Sequence, residues 1–262
     1  MTSKRIPATV RLEAILAEVE QHGHASVSDV AERLGVSEMT IRRDMDKLGA
    51  EGQVVRTHGG AHANDDLRRK AVEVIEPSVE SRATQNRSEK KRIAATAVRR
   101  IEPRSTIAID VGTTCLELAR LIDDNSVHIV CASLPIQQLL AGNRMQIYAP
   151  CGRIAGADPS TVGAQTVAYL RDFRFDMAFL AVAGITPDGL FDYSFEDAEI
   201  KKTLAAQAKS RVLLIDSSKI GKSSAVRVMG FEDIDVLITD APLPSEMAAI
   251  ATSHDIEVVV AR

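Results

Sequence analysis

The chain has no tryptophan and only three tyrosines and six phenylalanines among 262 residues. A protein that grips single-stranded nucleic acid by stacking bases on aromatic platforms needs more of them, so that class is set aside. Cysteine is scarce too: Cys115, Cys131 and Cys151 are odd in number and show no C-x-x-C spacing. This argues against a disulfide framework and against a zinc site, and no metal or other cofactor is expected. Long apolar runs are missing: nothing approaches the roughly 18 residues of a membrane span, and the opening "MTSKRIPATV" has no apolar signal core. A cytoplasmic protein with no membrane partner is expected. Internal repeats and low-complexity tracts are missing as well.

Bulk positive charge is the last absence. The net charge is −4. Residues 1–60 carry 8 Lys/Arg against 9 Asp/Glu, residues 61–104 carry 11 against 7, and residues 105–262 carry 13 against 20. If the first segment binds an acid such as DNA, it must do so with a clustered face. What is present is 45% hydrophobic and 26% charged residues, the composition of a globular protein. A domain typically takes about 100–200 residues, so the length suits two.

Three helical patterns open the chain. Leu12, Ile15, Leu16 and Val19 share one helix face, and Gly23 ends that helix. Val27, Val30, Ala31 and Leu34 repeat the spacing behind a possible cap at Ser26, and Gly35 stops them. Ser37 caps a third helix with Ile41, Met45 and Leu48 inward, ended by Gly49 and Gly52. "QVVRTHGGAHA" then reads as a small hairpin around Gly-Gly. Residues 63–85 are expected to be a linker between a 1–62 domain and an 86–262 domain.

With about 100° per residue, Met45 and Leu48 lie within about 40° of Ile41, while Met39, Arg43, Asp46 and Lys47 point away and Thr40 and Arg42 sit on the flanks. Charge alone reads as a solvated face stitched by Arg42–Asp46 and Arg43–Asp46 ion pairs. Two short helices joined by the Gly35 turn read instead as a helix-turn-helix, whose second helix enters the major groove. Arginine can bond guanine with both arms, and threonine can bond phosphate or touch a thymine methyl. The expected DNA-contacting residues are Ser37, Met39, Thr40, Arg42, Arg43 and Lys47, with Arg56 and His58 (and His62 beside them) from a hairpin acting as a wing.

From residue 105 onward, short β-branched runs alternate with helical patterns: "TIAIDV", "VHIVCAS", "MQIYAP", "DMAFLAVAGI", "RVLLID", "DVLITD" and "IEVVVA". This predicts a mainly parallel α/β sheet buried on both faces. In "TIAIDVGTTCLELARLI", Asp110, Gly112, Thr113 and Thr114 occupy a strand-to-helix turn suited to an anion, though a plain βα turn has the same look. Cys115 follows it at a helix N-terminus, where its thiol could be reactive, but it reads rather as a small packing residue.

"VSDVAERLGVSEMTIRRDMDKLGAEGQVVRTHGGA" resembles the N-terminal signature of the DeoR family of bacterial transcription regulators. The likeness continues in order through "D-x-GTT", "SLP" at Ser133–Pro135, "E-I-K" at Glu199–Lys201, "DSSKIG" at Asp216–Gly221 and "DIDVLITD". It implies an N-terminal winged helix-turn-helix and a C-terminal open sheet akin to ribose-5-phosphate isomerase and coenzyme A transferases. It further implies a repressor of a carbohydrate or polyol catabolic operon, bound to double-stranded operator DNA and released by a phosphorylated sugar or polyol. A homodimer or homotetramer is implied, and "FDYSFEDAEIKK" and "TDAPLP" look closest to the glycerol-3-phosphate repressor branch. The effector residues carried over are Asp110, Gly112, Thr113, Thr114, Ser133, Gly152, Glu199, Lys201, Asp216 and Lys219, with Arg153 as an extra anion contact. Cys131-Ala132 stands where the family usually has Thr-Asn, and Cys151 where it often has Gly. The rival reading is an isomerase-like enzyme with an appended DNA-binding module, which needs an acid–base pair such as Glu199 with Lys201.

Overall fold

The computed structural model describes residues 6–22, 24–51, 53–57, 59–63, 72–73, 76–142, 145–156 and 158–262. Of the expected residues, Gly23, Gly52 and His58 lie outside these. The chain divides into two compact units, residues 1–71 and 72–262. The expected linker spans that division, and residues 72–85 belong to the second unit.

Unit 1 runs α1 (Ala8–His22), β1 (His24–Ser26), α2 (Val27–Leu34), α3 (Glu38–Ala50), β2 (Val54–Thr57) and β3 (Gly60–Ala63). Each helix boundary has a local cause. Ser26 is the N-cap residue of α2. Gly35 ends it in the left-handed region, at φ 61°, where a side chain would be strained. Ser37 caps α3 by accepting from the Thr40 N–H at 3.2 Å. The helix runs through Gly49 to Ala50, past the expected stop, and a Cβ at Gly49 would lie 2.7 Å from Cγ of Arg56, whose stem crosses it. The strands form an antiparallel sheet in the order β1-β3-β2, so the expected hairpin gains a third strand from His24–Ser26. Ile15, Val19, Val27, Val30, Ile41, Met45, Leu48 and Val54 close the core. Burial of one such side chain contributes about 1.5–3 kcal/mol.

Unit 2 begins with β4 (Val72–Glu73), α4 (Val79–Thr84) and α5 (Arg87–Ala97). There follow β5 (Thr106–Ile109), α6 (Thr113–Ala119), β6 (His128–Cys131), α7 (Leu134–Leu140), β7 (Gln146–Tyr148), β8 (Arg153–Ala155), β9 (Ser160–Val162) and α8 (Ala164–Arg171). The chain continues as β10 (Phe175–Leu180), β11 (Gly184–Thr186), β12 (Gly189–Asp192), α9 (Phe195–Gln207) and β13 (Ala208–Leu214). It closes with β14 (Ser223–Ser224), β15 (Val226–Met229), β16 (Val236–Thr239), α10 (Ser245–Ser253) and β17 (Glu257–Val260).

Seven of these strands form one sheet in the order β17-β16-β13-β10-β5-β6-β7, and every pairing in it is parallel. Its strands are the seven apolar runs of the sequence. Alternation explains why they carry few polar residues: Ile107 and Ile109 pack to one side with Phe179, Leu118 and Ile136, and Ala108 to the other with Ala178, Leu180 and Leu204. Small sheets, β11-β12-β15, β8-β9 and β4-β14, sit outside the main one. The strand order reverses between β5 and β10. In open α/β sheets a crevice forms at such a reversal, outside the carboxyl ends of the strands.

Candidate functional site

On α3, Ile41, Asp44, Met45 and Leu48 are buried, and Met39, Arg42, Arg43, Asp46 and Lys47 are exposed. Met39 is 60% exposed, a large apolar side chain held out in solvent on the expected reading face. The expected ion pairs do not form as drawn. Arg42 turns back to Glu38 at 3.2 Å, and Asp46 is taken by Arg56 at 2.7 Å. Arg43 makes no ion pair or hydrogen bond among the described residues. Lys47 reaches Glu51 at 3.9 Å, and the Ser37 hydroxyl lies 2.9 Å from that of Thr40. Arg56 also donates to the carbonyls of Thr57 and Gly60, so it clamps the hairpin to α3. The buried Asp44 accepts both arms of Arg11, at 2.6 and 3.1 Å, and ties α3 to α1. That tie was missed from sequence, although Asp44 lies three residues from Ile41 and so on the inner face.

In unit 2 a polar cleft opens at the strand reversal. Gly112, Thr113 and Thr114 line it after β5, Ala181 after β10, and Asp216 and Lys219 after β13, together with Lys201 from α9. Asp110 joins the two central strands beneath it by accepting from the Ala181 N–H at 3.0 Å. Gly112 holds φ 133° and has only Ala181 Cβ, at 3.4 Å, facing the place of its missing side chain. The loop therefore turns sharply between the strand ends. Glu76, Arg82, Asn86, Lys90, Asp192 and Asp197 also line it, and sequence reasoning did not find them.

The charges are dense and buried. Lys201 is 3% exposed and contacts Asp110 at 2.6 Å and Asp192 at 3.3 Å. Burial opposes its charge, but Asp110, Asp192 and Asp197 outweigh burial and hold its pKa above the ordinary lysine value. Burial pushes the Asp110 carboxyl up, against the pull of Lys201. Asp216 accepts from the Ser218 N–H at 3.1 Å and from Asn86 Nδ2 at 3.0 Å, so it caps the turn after its strand while walling the cleft. Lys90 is buried, donates to the Arg82 carbonyl, and has its pKa lowered by burial.

Four expected effector residues stand elsewhere. Ser133 is buried at the start of α7, where its backbone bridges to Ser160. Gly152 packs under α8: a Cβ there would lie 2.1 Å from Thr166 Oγ1 and 2.7 Å from the Val162 carbonyl oxygen. Arg153 is exposed and makes two bonds to Glu196, at 2.7 and 2.8 Å. Glu199 is exposed and faces Lys202, so it forms no pair with the buried Lys201 two residues on. An acid–base couple of those two side chains is absent. Cys115 is fully buried and burial raises its thiol pKa well above the ordinary value, while Cys131 is pushed up to about 12. Neither is an activated nucleophile.

A helix-turn-helix unit joined to an α/β unit with a polar cleft is the build of a transcription regulator with a sensor domain. The family model described as the DeoR C terminal sensor domain matches residues 85–241, and that described as the DeoR-like helix-turn-helix domain matches residues 11–66. The chain belongs to the DeoR family. It is similar to the "Glycerol-3-phosphate regulon repressor" of Escherichia coli (strain K12), at 30% identity across 95% of this chain and 97% of that protein. It is similar to the "HTH-type transcriptional repressor CsqR" of the same organism, at 29% identity across 99% and 98%. The "Lactose phosphotransferase system repressor" of Streptococcus mutans is 32% identical across 88% and 91%. These relatives are named as repressors, not as enzymes. Among solved structures, ribose 5-phosphate isomerase A of Methanocaldococcus jannaschii overlays 52% of this chain and 55% of its own, with TM-score 0.39 and 17% identity. No helix among the described residues is long and apolar enough to cross a membrane.

Proposed function

We propose that the protein is a sequence-specific repressor of a carbohydrate or polyol catabolic operon, released from double-stranded operator DNA by a phosphorylated sugar or polyol bound in the cleft. One observation carries the DNA half: Arg43 projects from the face of α3 opposite Ile41 and has no partner among the described residues. A guanidinium in that state is available to bond guanine O6 and N7. Met39 and Thr40 lie on the same N-terminal part of the helix. Ser37, Arg42 and Lys47 flank it and suit phosphate contacts, which position the protein without reading sequence. Arg56 supports this surface by fixing the hairpin. His58 is proposed from sequence alone. Pairing of subunits would set two such helices about 34–36 Å apart, one turn of duplex. A homodimer or homotetramer is therefore part of the proposal.

For the effector half, Gly112 brings backbone close to a ligand, Thr113 and Thr114 add hydroxyl donors, and Lys219 and Lys201 add positive charge. Asp216 offers a carboxylate acceptor for ligand hydroxyls, while Asp110 holds Lys201 from beneath the cleft. The mixture of cations and carboxylates suits a ligand with a phosphate at one end and hydroxyls at the other. The names of the relatives, two of which mention glycerol-3-phosphate or a sugar, point the same way. Ser133, Gly152, Arg153 and Glu199 support the fold or surface in this reading.

The test begins with selection of a duplex from a random pool, followed by titration at fixed salt. Arg43→Ala should lower affinity for the selected duplex by about 1–3 kcal/mol and leave thermal stability unchanged. Affinity equal to that of the parent protein would return Arg43 to a solvated helix face.

A further inference from the structure

The cleft of unit 2 is crossed by the segment that leads into it from unit 1 along the chain. Backbone of Val72 and Glu73 pairs with Ser223 and Ser224. Glu76, Arg82, Gln85 and Asn86 then line the same cleft as Gly112, Thr113 and Lys201. Within it, helix α4 contains no buried residue. Among the described residues its polar attachments include Asn86 to Asp216 at 3.0 Å and the Arg82 carbonyl to Lys90. Segments with few buried apolar contacts open at low free-energy cost.

At its centre, Arg82 is a cation held for an anion. Its side chain is 14% exposed, and Nε donates to the Pro77 carbonyl at 3.1 Å. Nη2 lies 2.7 Å from Glu76 Oε1 and 3.7 Å from Asp158 Oδ2, yet makes no aligned hydrogen bond. Arginine binds phosphate through parallel N–H bonds, a geometry neither carboxylate supplies here. The carboxylates are also poorly placed for their own charge. Burial raises the pKa of Glu76, with Arg82 pulling it back down, and burial raises that of Asp158 likewise.

We propose that Glu76 is a built-in competitor for the anionic ligand, and that a phosphate entering the cleft takes Arg82 away from it. This rests on the reading of the cleft as a phosphate-ester site. Arg82 is then a ligand-binding residue supplied by the strap. Two anions cannot share one guanidinium in a partly dry cleft at low cost, so the bound phosphate expels the Glu76 carboxylate. Glu76 stands three residues after the β4 strand, at the start of the described part of the segment that lines the cleft.

The experiment is a calorimetric titration of the full chain with inorganic phosphate, using the parent protein, Glu76→Gln, Arg82→Gln, the Glu76→Gln/Arg82→Gln double variant and the Thr113→Ala/Thr114→Ala variant. Thermal unfolding checks that each is folded. Glu76→Gln keeps the shape of the side chain and removes its charge, so phosphate should bind about tenfold tighter. Arg82→Gln should weaken binding by about tenfold, and the gain from Glu76→Gln should vanish in the double variant, because the competition runs through Arg82. Phosphate binding that depends on Thr113 and Thr114 but is indifferent to Glu76 and Arg82 overturns the competitor and leaves the cleft reading intact. Phosphate binding by none of the proteins, or binding indifferent to Thr113 and Thr114, overturns the cleft reading and the competitor with it.

Discussion

The two units use charge in opposite ways. Unit 1 tucks one bidentate pair, Arg11 with Asp44, against its small core and leaves Arg43 outside with no partner among the described residues. Unit 2 draws Lys201, Asp110, Asp216 and Lys90 inward until each is less than 5% exposed. A surface that reads DNA needs charge accessible from outside, because duplex phosphates and base edges come to it from outside. A cleft that senses a small molecule can keep its charges paired with one another, because the ligand only has to exchange one set of partners for another. The same residue type thus signals function by exposure in one unit and by burial in the other.

Substitutions that break this contrast should fall in a definite order of size. Lys201→Met leaves Asp110 and Asp192 facing each other without their cation, and should destabilise unit 2 by about 3–5 kcal/mol in denaturant unfolding. Unit 1 should be untouched, so a loss of stability shared by both units would contradict the division. Next comes Arg43→Ala, with the affinity loss of about 1–3 kcal/mol for the selected duplex and no stability change. Asp44→Asn reverses that signature: a stability loss of about 1–2 kcal/mol, since the pair is partly buried and charge-assisted, read as a lower melting temperature. Smallest is Arg42→Ala, whose exposed pair with Glu38 contributes no more than about 0.5 kcal/mol to stability. Its effect should show instead as a salt-dependence slope shallower by about one for DNA binding. A steep loss of affinity at every salt concentration would make Arg42 a base-reading residue and exchange its role with that of Arg43.

The sequence was most legible where function and fold share a local cause. Gly35 and Ser37 bound their helices through caps that any reader of the chain can place, and the period of Ile41, Met45 and Leu48 points Arg43 outward. Seven apolar runs become the seven strands of one sheet for the same reason: strands buried on both faces tolerate few polar residues. The strand-to-helix turn at Gly112–Thr114 was readable as a turn, but an anion site there was not separable from a plain βα turn by sequence. The rest of the cleft was not readable. Arg82, Asn86 and Lys90 arrive from the helical segment before the first strand of the sheet, and Asp192 and Asp197 from beyond its centre, and only the parallel topology brings them together. Lys90 did carry a local signal, since it precedes Ile93, Ala94 and Ala97 at helical spacing and so lies on their buried face. Glu199 misled for the matching reason: two residues on a helix are about 200° apart, so Glu199 and Lys201 face opposite ways. Short strands such as His24–Ser26 are set by their partners across the sheet, and three residues hold too little pattern to announce them.

The central claim is that occupancy of the unit 2 cleft governs the grip of unit 1 on DNA. The most direct test is the affinity of the full chain for its selected duplex, measured with and without a panel of phosphorylated sugars and polyols, in the parent protein and in Thr113→Ala/Thr114→Ala. The account predicts that at least one panel member lowers the parent's affinity by about 5–150-fold, while the double variant binds the duplex normally and ignores that ligand. A double variant released as readily as the parent, or a parent released by no member of the panel, would contradict it.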